Sequence, residues 1–293
     1  MAVILSGKAV AEAITEKTRA EAEALAAAGR QPLLLVVRVG EKGSDLSYEK
    51  GVTRRAQNAG IEVRVKVLPE NVSGEELTTV LREASEDPTV SGVLPFLPLP
   101  RHLAAKKILS ALVPEKDIDG ATMASMMGVY TGSGEGFAPC TPEAVLRILD
   151  HYEISLAGKR VVVVGRSLVV GKPLSMLLLK RNATVTICHT RTEDLPSETR
   201  RADIVVAACG HANTICREHL REGQVILDVG INFDEDGNMC GDVAFDEASE
   251  VVQAITPVPG GVGPVTNALL LAHVVEAARR AASREPLVEA RRK

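Results

Sequence analysis

Arg160-Val-Val-Val-Val-Gly-Arg-Ser-Leu-Val-Val-Gly171-Lys-Pro173 is a β-branched run followed at once by a glycine, a basic residue and a hydroxyl. Such a run suits a strand buried on both faces of a parallel sheet, and a helix is expected from about Pro173. A strand leading through glycine into a helix is how a dinucleotide-binding unit begins. The helix N-terminus offers unpaired N–H groups and partial positive charge to a pyrophosphate. The spacing of Gly165 and Gly171 is not the common G-x-G-x-x-G, and a plain tight turn would read the same. Apolar strands expected at 183–188, 204–208 and 225–229, with crossovers between them, extend the segment to a Rossmann-like parallel sheet.

Upstream, helical spacing over 8–28, a strand at 32–39, a helix near 45–59 and a strand at 61–68 alternate regularly. A helix at 74–86, a strand at 90–95 and a short helix after Pro100 continue the pattern to Lys116-Asp-Ile-Asp-Gly120. The alternation predicts an α/β chain of two α/β domains. The first is expected over 1–142, and the second, Rossmann-like, over 143–265. Beyond Thr256-Pro-Val-Pro-Gly-Gly-Val-Gly-Pro-Val-Thr266, a rigid loop of prolines and glycines, lies one more apolar-faced helix. Residues 266–286 are assigned to the first domain, and 287–293 are expected to be a disordered tail.

The 293 residues carry a net charge of −4 and 45% hydrophobic residues, which gives room for two cores and speaks against a nucleic-acid partner. No apolar run of membrane-spanning length and no basic, apolar leader is visible, so a cytoplasmic protein is expected. Cys140, Cys188, Cys209, Cys216 and Cys240 are odd in number and lack C-x-x-C pairing. They are read as ordinary, mostly buried residues, with no disulfide framework and no metal site.

The 256–266 run, Asp228-Val-Gly-Ile-Asn232 and the Gly165–Gly171 segment together resemble the methylenetetrahydrofolate dehydrogenase/cyclohydrolase family, from about Gly7 to about Ala282. The resemblance implies that the C-terminal helix returns to the first domain, that the first domain holds a tetrahydrofolate one-carbon substrate, and that the chain forms a homodimer through its nucleotide domains. It also implies cofactor contacts at Gly165, Arg166, Ser167, Gly171, Gly230, Ile231, Pro259, Gly260, Gly261 and Val262. The second nucleotide-domain strand ends in Cys188-His-Thr-Arg-Thr192, where an NAD enzyme places a ribose-binding carboxylate. Thr190 and Arg191, with Arg166, suit a ribose phosphate and favour NADP, while Glu193 and Asp194 keep NAD open. His189 is a further candidate contact, or simply structural. Asp242, within Gly241-Asp-Val243, reads as structural.

In the first domain the resemblance assigns Tyr48 to stacking on the folate ring and Asp119 to the guanidine-like edge of the pterin. Two positions depart from the family. Val52 stands where the family has its catalytic lysine, and Phe96 where it has the glutamine that bonds that lysine. Lys50 is no substitute, since two helical residues turn a side chain about 200° away. Both partners of one polar pair are apolar here, which can be nearly neutral, whereas losing one strands the other. Asp45, where a serine is usual, is either a helix N-cap or a carboxylate facing the reacting carbon. The expected activity is NADP-dependent methylenetetrahydrofolate dehydrogenase with cyclohydrolase lost or very weak, since valine cannot move a proton. Two alternatives are a relative recruited to a different one-carbon adduct and a non-catalytic folate- and NADP-binding partner subunit.

Overall fold

The computed structural model describes residues 1–284 and shows, in chain order, β1 (Val3–Ile4), α1 (Gly7–Ala27), β2 (Leu33–Val39), α2 (Gly43–Asn58), β3 (Glu62–Leu68), α3 (Gly74–Glu86), β4 (Gly92–Pro95), α4 (Ala105–Leu109) and α5 (Met123–Thr131). There follow α6 (Cys140–His151), β5 (Arg160–Val164), α7 (Gly171–Lys180), β6 (Thr184–Cys188), α8 (Leu195–Arg200), β7 (Ile204–Ala207) and β8 (Val225–Asp228). The short β9 (Asn232–Phe233), β10 (Met239–Cys240), α9 (Phe245–Ser249) and β11 (Ala254–Ile255) lead to the long α10 (Val262–Arg284). The segment 287–293 lies outside the described residues.

The described chain divides into two units, one of 13–138 with 268–284 and one of 1–12 with 139–267. The first holds a parallel sheet in the order β3-β2-β4. β2 is central and almost wholly buried, as its unbroken Leu-Leu-Leu-Val-Val run requires, whereas the edge strand β3 alternates charge and valine and is largely exposed. Leu77 and Leu81 of α3 pack with Leu33, Val37 and Val93 in the core of this unit. α3 opens on an N-cap in which Ser73 Oγ accepts from the Glu76 amide at 3.1 Å. The C-terminal part of α10 belongs here as well. His273 Nδ1 lies 2.7 Å from the Ile118 carbonyl oxygen, and its ring stacks on Phe137 at 4.7 Å.

The second unit is a six-stranded sheet in the order β1-β11-β8-β7-β5-β6, parallel at every pairing. Val162, Val164, Val205, Ile226 and Ile255 form the core on one of its faces. The first twelve residues were expected in the first domain and belong here instead, because Val3 and Ile4 pair with Ala254 and Ile255. A two-residue strand gives too short an apolar pattern to be read; its partner, equally short, sits beside the proline- and glycine-rich run. The stretch after Gly120 holds one further helix. Thr122 Oγ1 accepts from the Ser125 amide at 3.2 Å and starts α5, which stops at Gly132 in the left-handed conformation.

Candidate active site

In the first unit, α2 carries Tyr48, Val52 and Arg55 at helical spacing along one stripe. Its entry from β2 is fixed by the buried Arg38, whose Nε donates to Glu49 Oε2 at 2.7 Å while Nη1 donates to the Gly40 carbonyl. Val52 is 1% exposed and Tyr48 42%. Phe96 follows β4 directly, held by its amide donating to the Val37 carbonyl at 2.9 Å, and is 8% exposed. Its ring lies 5.2 Å from that of Tyr48, tilted by 53°. Position 96 therefore meets the α2 stripe through an aromatic contact rather than a polar one.

Asp45 is a correction to the N-cap reading. The capping position is Lys42, with no side-chain cap, and Asp45 lies inside the first turn, where its charge favours the helix N-terminus. Ser44 Oγ donates to its Oδ1 at 3.2 Å. Lys50 is exposed, away from the buried Val52.

The Lys116–Gly120 turn is pinned at three points. Lys116 Nζ donates to the carbonyls of Ala84 at 3.0 Å and Asp87 at 2.6 Å, and burial lowers its pKa. Asp117, fully buried, accepts from the amides of Ala121 at 3.0 Å and Thr122 at 2.8 Å. Ile118 is held by His273. Between these anchors Asp119 is half-buried on a fixed backbone.

In the second unit, parallel strands place the loops after β6, β5, β7, β8 and β11 along one edge of the sheet. That edge is where open α/β sheets bind ligands, and β5 is the switch point, with β6 on one side and β7 on the other. Gly165 has φ of +130°, and a Cβ there would overlap the Ala208 carbonyl oxygen. A Cβ on Gly171 would overlap the Gly165 carbonyl, so the two glycines close one tight turn, and α7 begins at Gly171 rather than Pro173. Ser167 Oγ accepts from the Val170 amide at 3.0 Å inside this turn. Arg166 is exposed at its tip.

The Gly165 amide donates to the Cys188 carbonyl at 2.8 Å, which sets that turn beside the loop after β6. There His189 Nδ1 accepts from the Arg191 amide at 3.1 Å, and the His189 amide donates to Thr192 Oγ1 at 2.9 Å. His189 thus shapes the loop that leaves Thr190 and Arg191 exposed. Asp194 caps α8, accepting from the Ser197 amide at 3.1 Å.

After β8, Gly230 is buried against Asp242, whereas Ile231 is exposed. Asp228 accepts from the amides of Gly230, Asp242 and Val243 at 2.9 to 3.0 Å. Asp242 accepts from those of Cys209 at 2.6 Å and Gly210 at 2.9 Å, and from Asn232 Nδ2 at 2.9 Å. Burial pushes the Asp228 carboxyl up to about 6 against its three amide donors. After β11, Thr256 Oγ1 accepts from the Asp228 amide at 2.7 Å, and a cis Val258–Pro259 bond precedes Gly260, whose φ is +103°. The Gly260 carbonyl accepts from the Gly7 amide at 2.9 Å, and Gly261 is packed so closely on Gly7 that a Cβ on Gly7 would overlap its carbonyl. Val262, also buried, opens α10, while Pro259 is exposed.

Three features had not been anticipated: the interlock of Asp228 with Asp242, the Gly7–Gly261 contact, and the fold of Arg55 over Gly51 of α2, with Nη1 3.2 Å from where a Cβ on that glycine would sit. Only the last left a sequence signal, a glycine inside a helix one turn before a long cation. Of the cysteines, Cys140 and Cys188 are buried and the other three half-buried, fewer than expected, and all are free. Among the described residues, Cys216, Glu218 and His219 alone bring three metal-capable atoms within 4.8 Å. His219 Nδ1 already accepts from the Cys216 amide at 3.3 Å, which closes a 3-10 turn.

Residues 5–119 match the model of the tetrahydrofolate dehydrogenase/cyclohydrolase catalytic domain, and 139–282 that of its NAD(P)-binding domain. The bifunctional protein FolD of Clostridioides difficile (strain 630) is 46% identical over 276 residues, covering 94% of this chain and 96% of its own. The crystal structure of the bifunctional enzyme FolD from Campylobacter jejuni superposes with a TM-score of 0.93 at 38% identity, covering 96% of this chain and 99% of its own. That of the Trypanosoma brucei enzyme, complexed with NADP cofactor and inhibitor, gives 0.89 at 33% identity, covering 97% and 99%.

Proposed function

The chain belongs to the tetrahydrofolate dehydrogenase/cyclohydrolase family, and from that premise we propose that it is an NADP-dependent methylenetetrahydrofolate dehydrogenase whose cyclohydrolase activity is lost or very weak. The observation that carries this reading is the pairing of intact cofactor loops with a non-titratable position 52. Val52 is fully buried, and the Phe96 ring packs on Tyr48 beside it.

Oxidation removes a hydride, with both its electrons, from the methylene carbon and leaves a methenyl cation. No proton moves, so the chain must only hold and orient the folate. Tyr48 stacks on the ring system, and Asp119 accepts from the pterin's guanidine-like edge in a charge-assisted pair. Hydrolysis is different, because water adds to the methenyl carbon and a proton must leave. Valine can neither take nor give one.

The second unit fits a dinucleotide. The Gly165–Gly171 turn folds tightly on itself and on Ala208 because neither glycine carries a side chain, and α7 begins there, offering the unpaired N–H groups of a helix N-terminus to a pyrophosphate. When bound, NADP supplies the hydride acceptor. Arg166, Thr190 and Arg191 are exposed around the end of β6 and suit its ribose phosphate; of the two nearby acids that would favour NAD, Asp194 is engaged in capping α8 and Glu193 is exposed. Gly230, Ile231 and 259–262 are the remaining proposed contacts. The proposal includes a cytoplasmic homodimer formed through the second unit; no helix among the described residues is long and apolar enough to cross a membrane.

Mixing the purified chain with methylenetetrahydrofolate and NADP, and following NADPH and methenyl absorbance together, tests the reading. Both should rise in parallel, with methenyl persisting. Prompt methenyl loss would overturn the missing cyclohydrolase, and no NADPH at all would overturn the dehydrogenase.

A further inference from the structure

Side chains on a helix lean toward its N-terminus, and Arg55 doubles back along α2 in that direction. Its Nη1 and Nη2 lie 3.2 and 3.5 Å from the point where a Cβ on Gly51 would sit. Glycine is a poor choice inside a helix, yet here its missing side chain is what lets the guanidinium lie over the preceding turn. The guanidinium is half-buried. Burial lowers its pKa from the usual arginine value, and the Tyr48 phenol opposes that shift, so cation and phenol share one electrostatic neighbourhood. That neighbourhood is the stripe of Tyr48 and Val52, with the Phe96 ring against Tyr48.

We propose that Arg55, folded over Gly51, is a specificity-determining residue of the folate pocket, its guanidinium donating to the carbonyl oxygen of the pterin stacked on Tyr48. The inference rests on the folate reading above. A pterin edge carries donors next to a ring carbonyl. Asp119 is suited to the donors, and only a donor group can take the carbonyl. Val52 offers none, and arginine presents several donors in a rigid fork. Arginine also stays protonated at working pH, so it orients the ring without relaying protons. A chain that keeps hydride transfer and lacks hydrolysis needs a group of that kind.

Calorimetric titration of the stable ligand 5-formyltetrahydrofolate into wild type, Arg55→Met and Gly51→Leu tests this. Arg55→Met removes the donor. Gly51→Leu keeps the arginine, adds a good helix former and fills the space over which it folds. Both should weaken folate binding by about tenfold or more, as loss of a hydrogen bond to a charged group does. KM for methylenetetrahydrofolate should rise in step while kcat changes little, and Arg55→Lys should recover part of the affinity. NADP affinity should be unchanged in all variants, which certifies the second unit, and an unchanged urea unfolding midpoint certifies the first. Wild-type folate affinity in both Arg55→Met and Gly51→Leu would overturn the assignment. Folate binding without NADPH formation by wild type would sink the dehydrogenase reading and leave this one judged on affinities alone. Absence of folate binding by wild type would sink both.

Discussion

Placing a lysine at position 52 and a glutamine at position 96 tests the proposal in stability and in chemistry at once. Val52→Lys removes a side chain that is 1% exposed, at a cost of about 1.5 kcal/mol, and places an amine in that buried position. Holding a lysine neutral at pH 7 costs at most about 4–5 kcal/mol, from roughly 3.4 units at 1.36 kcal/mol each. Tyr48, one turn away, is 42% exposed and gives the chain a route outward, so about 3 kcal/mol in total is expected. Phe96→Gln removes a ring that is 8% exposed and leaves a buried amide, for about another 3 kcal/mol. Independent effects would sum to about 6 kcal/mol. With both changes the amide oxygen accepts from the ammonium, a bond to a charged group worth about 1.5–3 kcal/mol, so the double variant should lose only about 4 kcal/mol. Urea unfolding of the four proteins gives the coupling, and methenyl decay in the double variant should accelerate at least about a hundredfold, the low end for a positioned proton-transfer group. Additivity within about 0.5 kcal/mol together with wild-type methenyl decay would refute the reasoning, because the two positions would then neither face each other nor border the reacting carbon.

At the Lys116–Gly120 turn two neighbouring acids should separate cleanly. Asp119→Ala should raise KM for the folate about tenfold or more, whereas Asp117→Ala should cost about 1–3 kcal/mol of stability by stranding the Ala121 and Thr122 amides. Arg191→Ala should raise KM for NADP about tenfold and leave that for NAD nearly alone, measured by NADPH and NADH formation; equal effects on both would remove the ribose-phosphate role. Asp228, held at about 6 above its ordinary 3.8, favours the folded state when protonated. It should contribute about 3 kcal/mol that is fully present below about pH 4 and lost as pH rises through about 6. Burial lowers the pKa of His219, so its contribution runs the opposite way, being lost as pH falls through its folded pKa, and total stability would blur the two. Carboxyl-carbon NMR of labelled aspartates should instead show one resonance titrating near 6 that vanishes in Asp228→Asn.

Much of the fold was legible because it is written in local patterns. The run 160–164 is the strand found, bound for bound, since an unbroken run of valines suits a strand buried on both faces. The helix at 74–86 carries its own N-cap in Ser73 and ends where it was read to end. What escaped was short and depended on distant partners: β1 and β11 are two residues each and exist only because they pair with each other and β11 with β8. Asp45 was misplaced because helix boundaries shift by a residue or two, and a lysine with no capping side chain gives no sign that it begins one.

The sequence by itself determined two α/β units, the glycine turn after β5, the absence of an acid within Cys188-His-Thr-Arg-Thr192 and a non-titratable valine at position 52. Each follows from residue identity and spacing along one element. Only the tertiary structure decided that residues 1–12 join the six-stranded sheet, that Phe96 packs on Tyr48, that Asp228 and Asp242 lock three loops together, and that Arg55 lies over Gly51. Those depend on which surfaces meet once strands far apart in the chain are paired, and a side chain's direction in that packing is not contained in its neighbours along the sequence.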